Sequence, residues 1–246
     1  MTESPFARSA SLLGAGAIQM LGACRVLLFG VGGVGSWCAE ALIRSGIGQL
    51  QLVDPDRISP SNLNRQLPAL HSTLGCLKVE VLARRLRDIN PLALIEAEAV
   101  FFDQATVGRF DFACYDYVVD AIDTVSSKLL IVERARMAGV PVVSAMGTGN
   151  KRRPELLRRG LLSETHSCPL ARVMRRELRR RGITDLPVVW SPEEPMIPTE
   201  ADGTRSESPG SLPWVPPVAG FLLAAHVIEA LLAARAGDSC EGGVSE

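Results

Sequence analysis

Apolar and polar positions fall in blocks along the chain, and the period of the pattern changes from block to block. Arg25–Gly30 (RVLLFG) is an unbroken apolar run ending in glycine, after which Gly33–Ser45 carries helical spacing through Val34, Cys38, Ala41 and Leu42. This predicts a strand, a turn and a helix. Gly46 and Gly48 stop the helix, and Gln49–Val53 (QLQLV) reads as a second strand ending at Asp54. Val79, Leu82, Leu86 and Ile89 predict another helix, closed by Asn90-Pro91, and Leu92–Val100 resumes an extended pattern. Tyr117–Asp120 (YVVD) and Pro141–Ala145 (PVVSA) are further apolar strands, with a helical Lys128–Ala138 between them. Parallel strands need helical crossovers, so the alternation predicts an α/β fold: a Rossmann-like, mostly parallel sheet with helices on both faces.

Beyond Gly149 the pattern changes. Residues 151–182 form a basic segment, within which Pro169–Arg181 predicts a helix with Leu170, Val173, Met174 and Leu178 on one side and arginines elsewhere. Leu186–Pro217 holds eight prolines, and its Thr199–Ser211 part has too few apolar side chains to pack, so 187–217 is expected to be mobile. Pro217–Ala234 is apolar but interrupted by His226 and Glu229, which makes it a buried helix rather than a stably inserted membrane span. Residues 1–234 are expected to form one domain, and 235–246 a disordered tail.

Composition adds little to the fold and more to the function. The chain has 246 residues and a formal net charge of -1, so the balance between 26 bases and 27 acids excludes a globally basic protein. The six cysteines are scattered without a C-x-x-C pair, which removes the usual zinc-ribbon spacing and any evident disulfide framework. The N-terminal residues lack a charged-then-apolar leader, and the expected compartment is the cytoplasm. Local charge is uneven. Lys151, Arg152, Arg153, Arg175, Arg176, Arg179 and Arg180 belong to a run with few acids, a density that attracts a polyanion by counterion release. A solvated helix face explains the same run, and charge alone does not decide between the two.

Gly30-Val31-Gly32-Gly33-Val34-Gly35 joins a strand to a helix, and Asp54 ends the next strand about 20 residues later. Glycines there let backbone approach a phosphate, the helix N-terminus attracts it, and the acid accepts hydrogen bonds from ribose hydroxyls. This much fits NAD as well as ATP. The loop after Asp54 separates them: Asn62, Arg65 and then Lys78 place an amide, a guanidinium and an ammonium beyond the ribose. Hydride transfer has no use for such groups, whereas a triphosphate losing pyrophosphate develops charge that they stabilise. Asp123, just beyond the YVVD strand, suits magnesium, which takes one or two carboxylates plus substrate phosphates; a helix N-cap is the blander role, and one carboxylate can serve both.

Gly30–Gly35, Asp54, Asn62, Arg65, Lys78 and Asp123 together resemble the ATP site of the ubiquitin-activating-enzyme-like adenylating superfamily, with its ThiF/MoeB-type fold. Within it the chain resembles the tRNA threonylcarbamoyladenosine dehydratases through Phe6–Ser9, Asn62–Gln66, Ala145–Lys151, Cys168–Arg172 and Val188–Pro195. The resemblance runs from Phe6 to about Ala234. It implies that ATP activates the carboxylate of a threonylcarbamoyl group on an anticodon-loop adenosine, which then cyclises with loss of water. It implies that Gly30, Gly32, Gly33 and Gly35 line the nucleotide site and that Asp54 holds ribose. Asn62, Arg65 and Lys78 would hold phosphate oxygens, Asp123 would organise magnesium, and Arg8 would reach the partner's site in a homodimer. Lys151, Arg152, Arg153, Arg175, Arg176, Arg179 and Arg180 would face tRNA. A sulfur-relay protein is a further candidate partner, and adenylation of a small sulfur-carrier protein is the rival activity. The missing C-x-x-C pair argues against that rival.

Overall fold

The computed structural model describes residues 4–199, 204, 206 and 208–241. Strands β1 (Arg25–Phe29), β2 (Gln49–Val53), β3 (Leu94–Glu98), β4 (Tyr117–Asp120), β5 (Val142–Ala145), β6 (Arg158–Leu161) and β7 (Pro187–Trp190) form one sheet in the order β3-β2-β1-β4-β5-β7-β6. Every neighbouring pair is parallel except β6 with β7. Helices α1 (Ala7–Leu13), α2 (Ala15–Gly22), α3 (Gly35–Arg44), α4 (Lys78–Ile89), α5 (Val125–Met137), α6 (Pro169–Arg180) and α7 (Val215–Glu241) complete the chain.

Period-two alternation in the strands divides the core. Val26 and Leu28 point into the layer shared with α3, α4 and α7, whereas Leu27 and Phe29 point into the layer shared with α5 and α6. Phe29 packs against Phe102, Phe110 and Phe112 with ring centroids 4.5, 5.6 and 5.8 Å away. Register then fixes the site. Phe29 is opposite Val53 on one side and Asp120 on the other, so the loops opening at Gly30, Asp54 and Ala121 leave the sheet at one edge. The chain turns from β1 outward to β2 and β3, then returns to the other side of β1 as β4. Ligands of open α/β sheets bind at such a switch point.

Two expectations change here. Residues 187–190, expected to be mobile, form β7: Pro187 opens the strand, where a missing N–H costs little, and Val188, Val189 and Trp190 are buried between β5 and β6. Within Thr199–Ser211, residues 200–203, 205 and 207 lie outside the described residues. The expected disordered tail begins as helix, because α7 runs through Glu241, an apolar, alanine-rich helix that continues past Ala234 once nucleated; 242–246 lie outside the described residues. Helices α1 and α2 are additions, because the sequence pattern supplied no signal there.

Helix α7 is apolar and long enough to cross a membrane, yet it packs in the core through Val215, Ala219, Leu223, Val227 and Leu231. Its interrupting residues have partners within the fold. Glu229 meets Arg159 at 2.5 Å, and the His226 ring lies edge-on to Tyr117 at 6.2 Å.

Candidate nucleotide-binding and catalytic site

A cleft of about 660 Å³ opens at the carboxyl edge of the sheet. Gly30, Gly32 and Gly33, Asp54, Asn62, Arg65, Lys78 and Asp123 all line it. The glycine turn has local causes. Gly30 sits at φ 85°, and a Cβ there would lie 2.7 Å from the Ala121 carbonyl oxygen, so only glycine lets β1 pass this close to the β4 loop. Gly35 corrects the expectation that all four glycines line the site. A Cβ on Gly35 would fall 1.7 Å from the Gly30 carbonyl oxygen, so it permits helix–strand packing beneath the cleft rather than facing a ligand.

Asp54 is buried, and its Oδ2 accepts from the Val31 N–H at 2.8 Å while Oδ1 accepts from Asp56 N–H at 2.9 Å. Burial pushes its carboxyl above the ordinary range, and the Lys78 charge and these two N–H groups only partly oppose that. Lys78 opens α4 with 5% of its surface exposed, and its Nζ pairs with Asp56 at 2.7 Å. Asp56 is itself an exposed side chain, so the ammonium remains available to an anion in the cleft.

The loop after β2 is held by its own bonds. Asn62 Oδ1 accepts from Ser59 N–H at 3.1 Å, which fixes the amide at the wall of the cleft. Arg65 donates to the Ser61 carbonyl and to Asn64 Oδ1, both at 2.9 Å, and its own carbonyl accepts from Trp37 Nε1 at 3.1 Å. Asp123 is exposed to the cleft, with Thr124 Oγ1 at 3.5 Å from one carboxylate oxygen. The α5 N-cap residue, Thr124, accepts no side-chain cap bond from the first turn, and among the described residues no backbone N–H of that turn donates to the Asp123 carboxylate either, so N-capping is not its role here. A single oxygen ligand beside phosphate donors fits magnesium, which completes its shell with phosphates and water. Among the described residues no cluster of three or more metal-ligating side chains exists.

Sequence reasoning missed the group that holds the Asp123 loop. Lys128 and Asp120 form an ion pair at 2.8 Å with both side chains fully buried. Lys128 also donates to the Ile122 carbonyl at 3.0 Å and to the Ala145 carbonyl at 2.8 Å, while Asp120 accepts from Ser144 Oγ and from Ile122 N–H. The signal was a lysine followed by Leu129, Leu130, Ile131 and Val132, where a solvated charge has no place.

The far half of the cleft is walled by Ala145–Lys151, by Cys168–Leu170 at the start of α6, and by Pro209–Ser211. Asn150 adopts φ 61°, its Oδ1 accepts from Gly210 N–H, and its own N–H donates to the Gly210 carbonyl, both at 2.7 Å. Asn64 Nδ2 donates to the Ser211 carbonyl at 2.9 Å, so one segment ties the loop after β2 to the far wall. Cys168 is buried and caps α6, its sulfur accepting from Ala171 N–H at 3.5 Å.

The basic segment divides. Arg152, Arg153, Arg176, Arg179 and Arg180 are exposed, with Arg153 paired to Glu155 and both Arg176 and Arg180 to Glu177. Arg175 turns back to the Thr165 carbonyl at 2.6 Å. Lys151 departs from the expected surface placement: it is 2% exposed and lines the cleft, because the Ser191 and Glu193 carbonyls draw its ammonium inward. Arg8 is exposed on α1 and does not line this chain's cleft.

A switch-point glycine turn, a buried acid at the end of β2 and an amide, a guanidinium and an ammonium converging on one cleft are the features of a nucleotide-binding α/β protein. The ThiF family model matches residues 6–241, and the chain belongs to that family. The tRNA threonylcarbamoyladenosine dehydratase of Bacillus subtilis (strain 168) is 37% identical over 241 residues, spanning 92% of this chain and 94% of the relative. The Escherichia coli tRNA N6-threonylcarbamoyladenosine dehydratase solved with ATP superposes with a TM-score of 0.87 at 32% identity, covering 94% of this chain and 95% of that one. The same enzyme solved with AMP gives a TM-score of 0.86 at 31% identity, over 96% and 99% of the two chains.

Proposed function

We propose that this chain is an ATP-dependent tRNA threonylcarbamoyladenosine dehydratase. The observation that carries the reading is the convergence of Asp54, Asn62, Arg65, Lys78 and Asp123 on one cleft, in a chain whose relatives of equal length bear that name. Asp54 accepts from the ribose hydroxyls, the Gly30–Gly33 turn meets the phosphates, and Asn62, Arg65 and Lys78 stabilise charge that grows as pyrophosphate leaves. Asp123 would hold magnesium, which when bound neutralises phosphate charge.

A carboxylate oxygen of the substrate attacks the α-phosphorus, forming an acyl adenylate and releasing pyrophosphate. A nucleophile within the threonylcarbamoyl substituent then attacks the activated carbonyl. AMP departs with the carboxylate oxygen, the nucleophile loses its proton, and the nucleoside is lighter by one water. No enzyme nucleophile is required. AMP in the related structure supports this division of ATP.

Arg152, Arg153, Arg176, Arg179 and Arg180 would contact the tRNA backbone, and Arg8 would complete the partner's site in a homodimer. On this reading the protein works in the cytoplasm beside its tRNA substrate. The test is to incubate the protein with ATP, magnesium and tRNA carrying threonylcarbamoyladenosine, then weigh the digested nucleosides. Loss of one water is the expected result. Unchanged mass, with pyrophosphate exchange that depends instead on a protein ending in Gly-Gly, would overturn the reading in favour of sulfur-carrier adenylation.

A further inference from the structure

The chain has three lysines, and all three are buried. Two have a carboxylate at ion-pair distance: Lys78 with Asp56 at 2.7 Å and Lys128 with Asp120 at 2.8 Å. The third, Lys151, has none among the described residues. Its Nζ donates to the Ser191 carbonyl at 3.4 Å and to the Glu193 carbonyl. An ammonium has three donors, so one remains.

The nearest acids are committed elsewhere. The Glu193 carboxylate accepts from the backbone N–H groups of Arg152 and Arg153, both at 3.0 Å, and Glu194 accepts from Ser167 Oγ at 2.6 Å. Cys168, the other group whose charge would be felt there, uses its sulfur as the α6 cap. Its direct hydrogen bonds are to carbonyls only, and burial pulls the Lys151 ammonium below its ordinary pKa, outweighing the more distant pull of the Glu193 and Glu194 carboxylates. The site is nevertheless built to keep it there. The preceding residue, Asn150, is held in a left-handed conformation by its two bonds to Gly210, while its carbonyl accepts from Met196 N–H at 2.8 Å.

A buried cation with no carboxylate at ion-pair distance among the described residues, lining a cleft whose other half has Arg65 and Lys78, leaves room for an anion from outside the protein. We infer that Lys151 binds the carboxylate of the threonylcarbamoyl group and presents it to the nucleotide. This rests on the dehydratase reading and adds to it the residue that recognises the modified base as modified. Held there, one carboxylate oxygen is paired with Lys151 while the other is free to attack phosphorus.

The test compares binding of tRNA carrying threonylcarbamoyladenosine with the same tRNA carrying its methyl ester, each in the absence of ATP. Wild type should prefer the carboxylate by about 10- to 100-fold, the range for a charge-assisted hydrogen bond to a buried group. Lys151→Gln should abolish the preference by weakening carboxylate binding alone, leaving affinities for the ester and for ATP unchanged, and Lys151→Arg should restore part of it. Equal wild-type binding of acid and ester overturns the inference without any variant, so a variant that failed to fold would not protect it. A Lys151→Gln protein that still prefers the acid, or that loses ATP affinity instead, also overturns it. If wild type removes no water from the modified tRNA the dehydratase reading itself fails, a separate outcome read by mass.

Discussion

Lys78→Met and Lys128→Met are the same substitution at two buried lysines, and they should have opposite consequences. Lys128 donates to two carbonyls and pairs with Asp120, all with no exposed surface. Removing it strands a carboxylate that retains only Ser144 Oγ and Ile122 N–H as donors. Breaking a buried pair by deleting one partner costs about 3–5 kcal/mol. For a domain of this size a kcal/mol moves the midpoint by roughly 2–4 °C, so the melting temperature should fall by roughly 6–20 °C. The partner of Lys78, in contrast, is an Asp56 side chain with 61% of its surface exposed, which water rehydrates at once. An ion pair with so exposed a partner contributes no more than about 1 kcal/mol, so Lys78→Met should melt within about 4 °C of wild type. It should nevertheless lose about 100-fold or more in turnover, since it removes a charge aligned with the reacting phosphates. Adding Asp120→Asn to Lys128→Met should recover part of the lost stability by removing the stranded charge. The assay is thermal unfolding of the four proteins at pH 7 beside single-turnover rates on modified tRNA. Lys128→Met melting within about 3 °C of wild type, or Lys78→Met melting as low as Lys128→Met, would refute the reasoning.

Asp123→Asn should fold normally and lower turnover by about 100-fold or more, with higher magnesium restoring little, which a magnesium titration of the rate checks. Cys168→Ser should keep most of its turnover and its helix cap, because serine accepts from the Ala171 N–H at least as well; a dead but folded variant would show that the thiol takes part in the chemistry. Replacing Arg152, Arg153 and Arg179 with glutamine should flatten the log–log salt dependence of tRNA binding by roughly 2–3 and spare ATP binding. Burial would push the Glu40 carboxyl up, but hydrogen bonds and charge from Arg85 and Arg44 outweigh it and hold the group below its ordinary 4.5. A depressed folded-state pKa stabilises above the unfolded value and is lost as pH falls through the folded one. Wild type should therefore lose melting temperature more steeply below pH 4.5 than Glu40→Gln, which should be the less stable of the two at pH 7.

The amino-acid sequence alone determined the alternation of strand and helix, because strands buried on both faces are continuous apolar runs and their crossover helices carry a 3.6-residue period. It also exposed the glycine turn and Asp54, whose relation is local: a turn, one helix and one strand bring them together whatever the rest of the chain does. Asn62, Arg65, Lys78 and Asp123 were legible through their spacing in a resembling family, although no local rule makes them converge; the β1–β2–β4 register does that. The sequence did not distinguish Lys151 from the arginines that follow it. All read as one basic run, and only carbonyls of Ser191 and Glu193, some 40 positions away, draw one member inward while the others stay in water. Strand β7 was hidden for a related reason: Pro187 and Pro192 argue locally for a loop, and the strand exists because β5 and β6 offer edges on both of its sides. Lys128 and Asp120 are eight positions apart, ordinary charges in the sequence and a dry ion pair in the fold. What a charged side chain does depends on the dielectric and the partners around it, and both are supplied by segments that sequence proximity does not bring together.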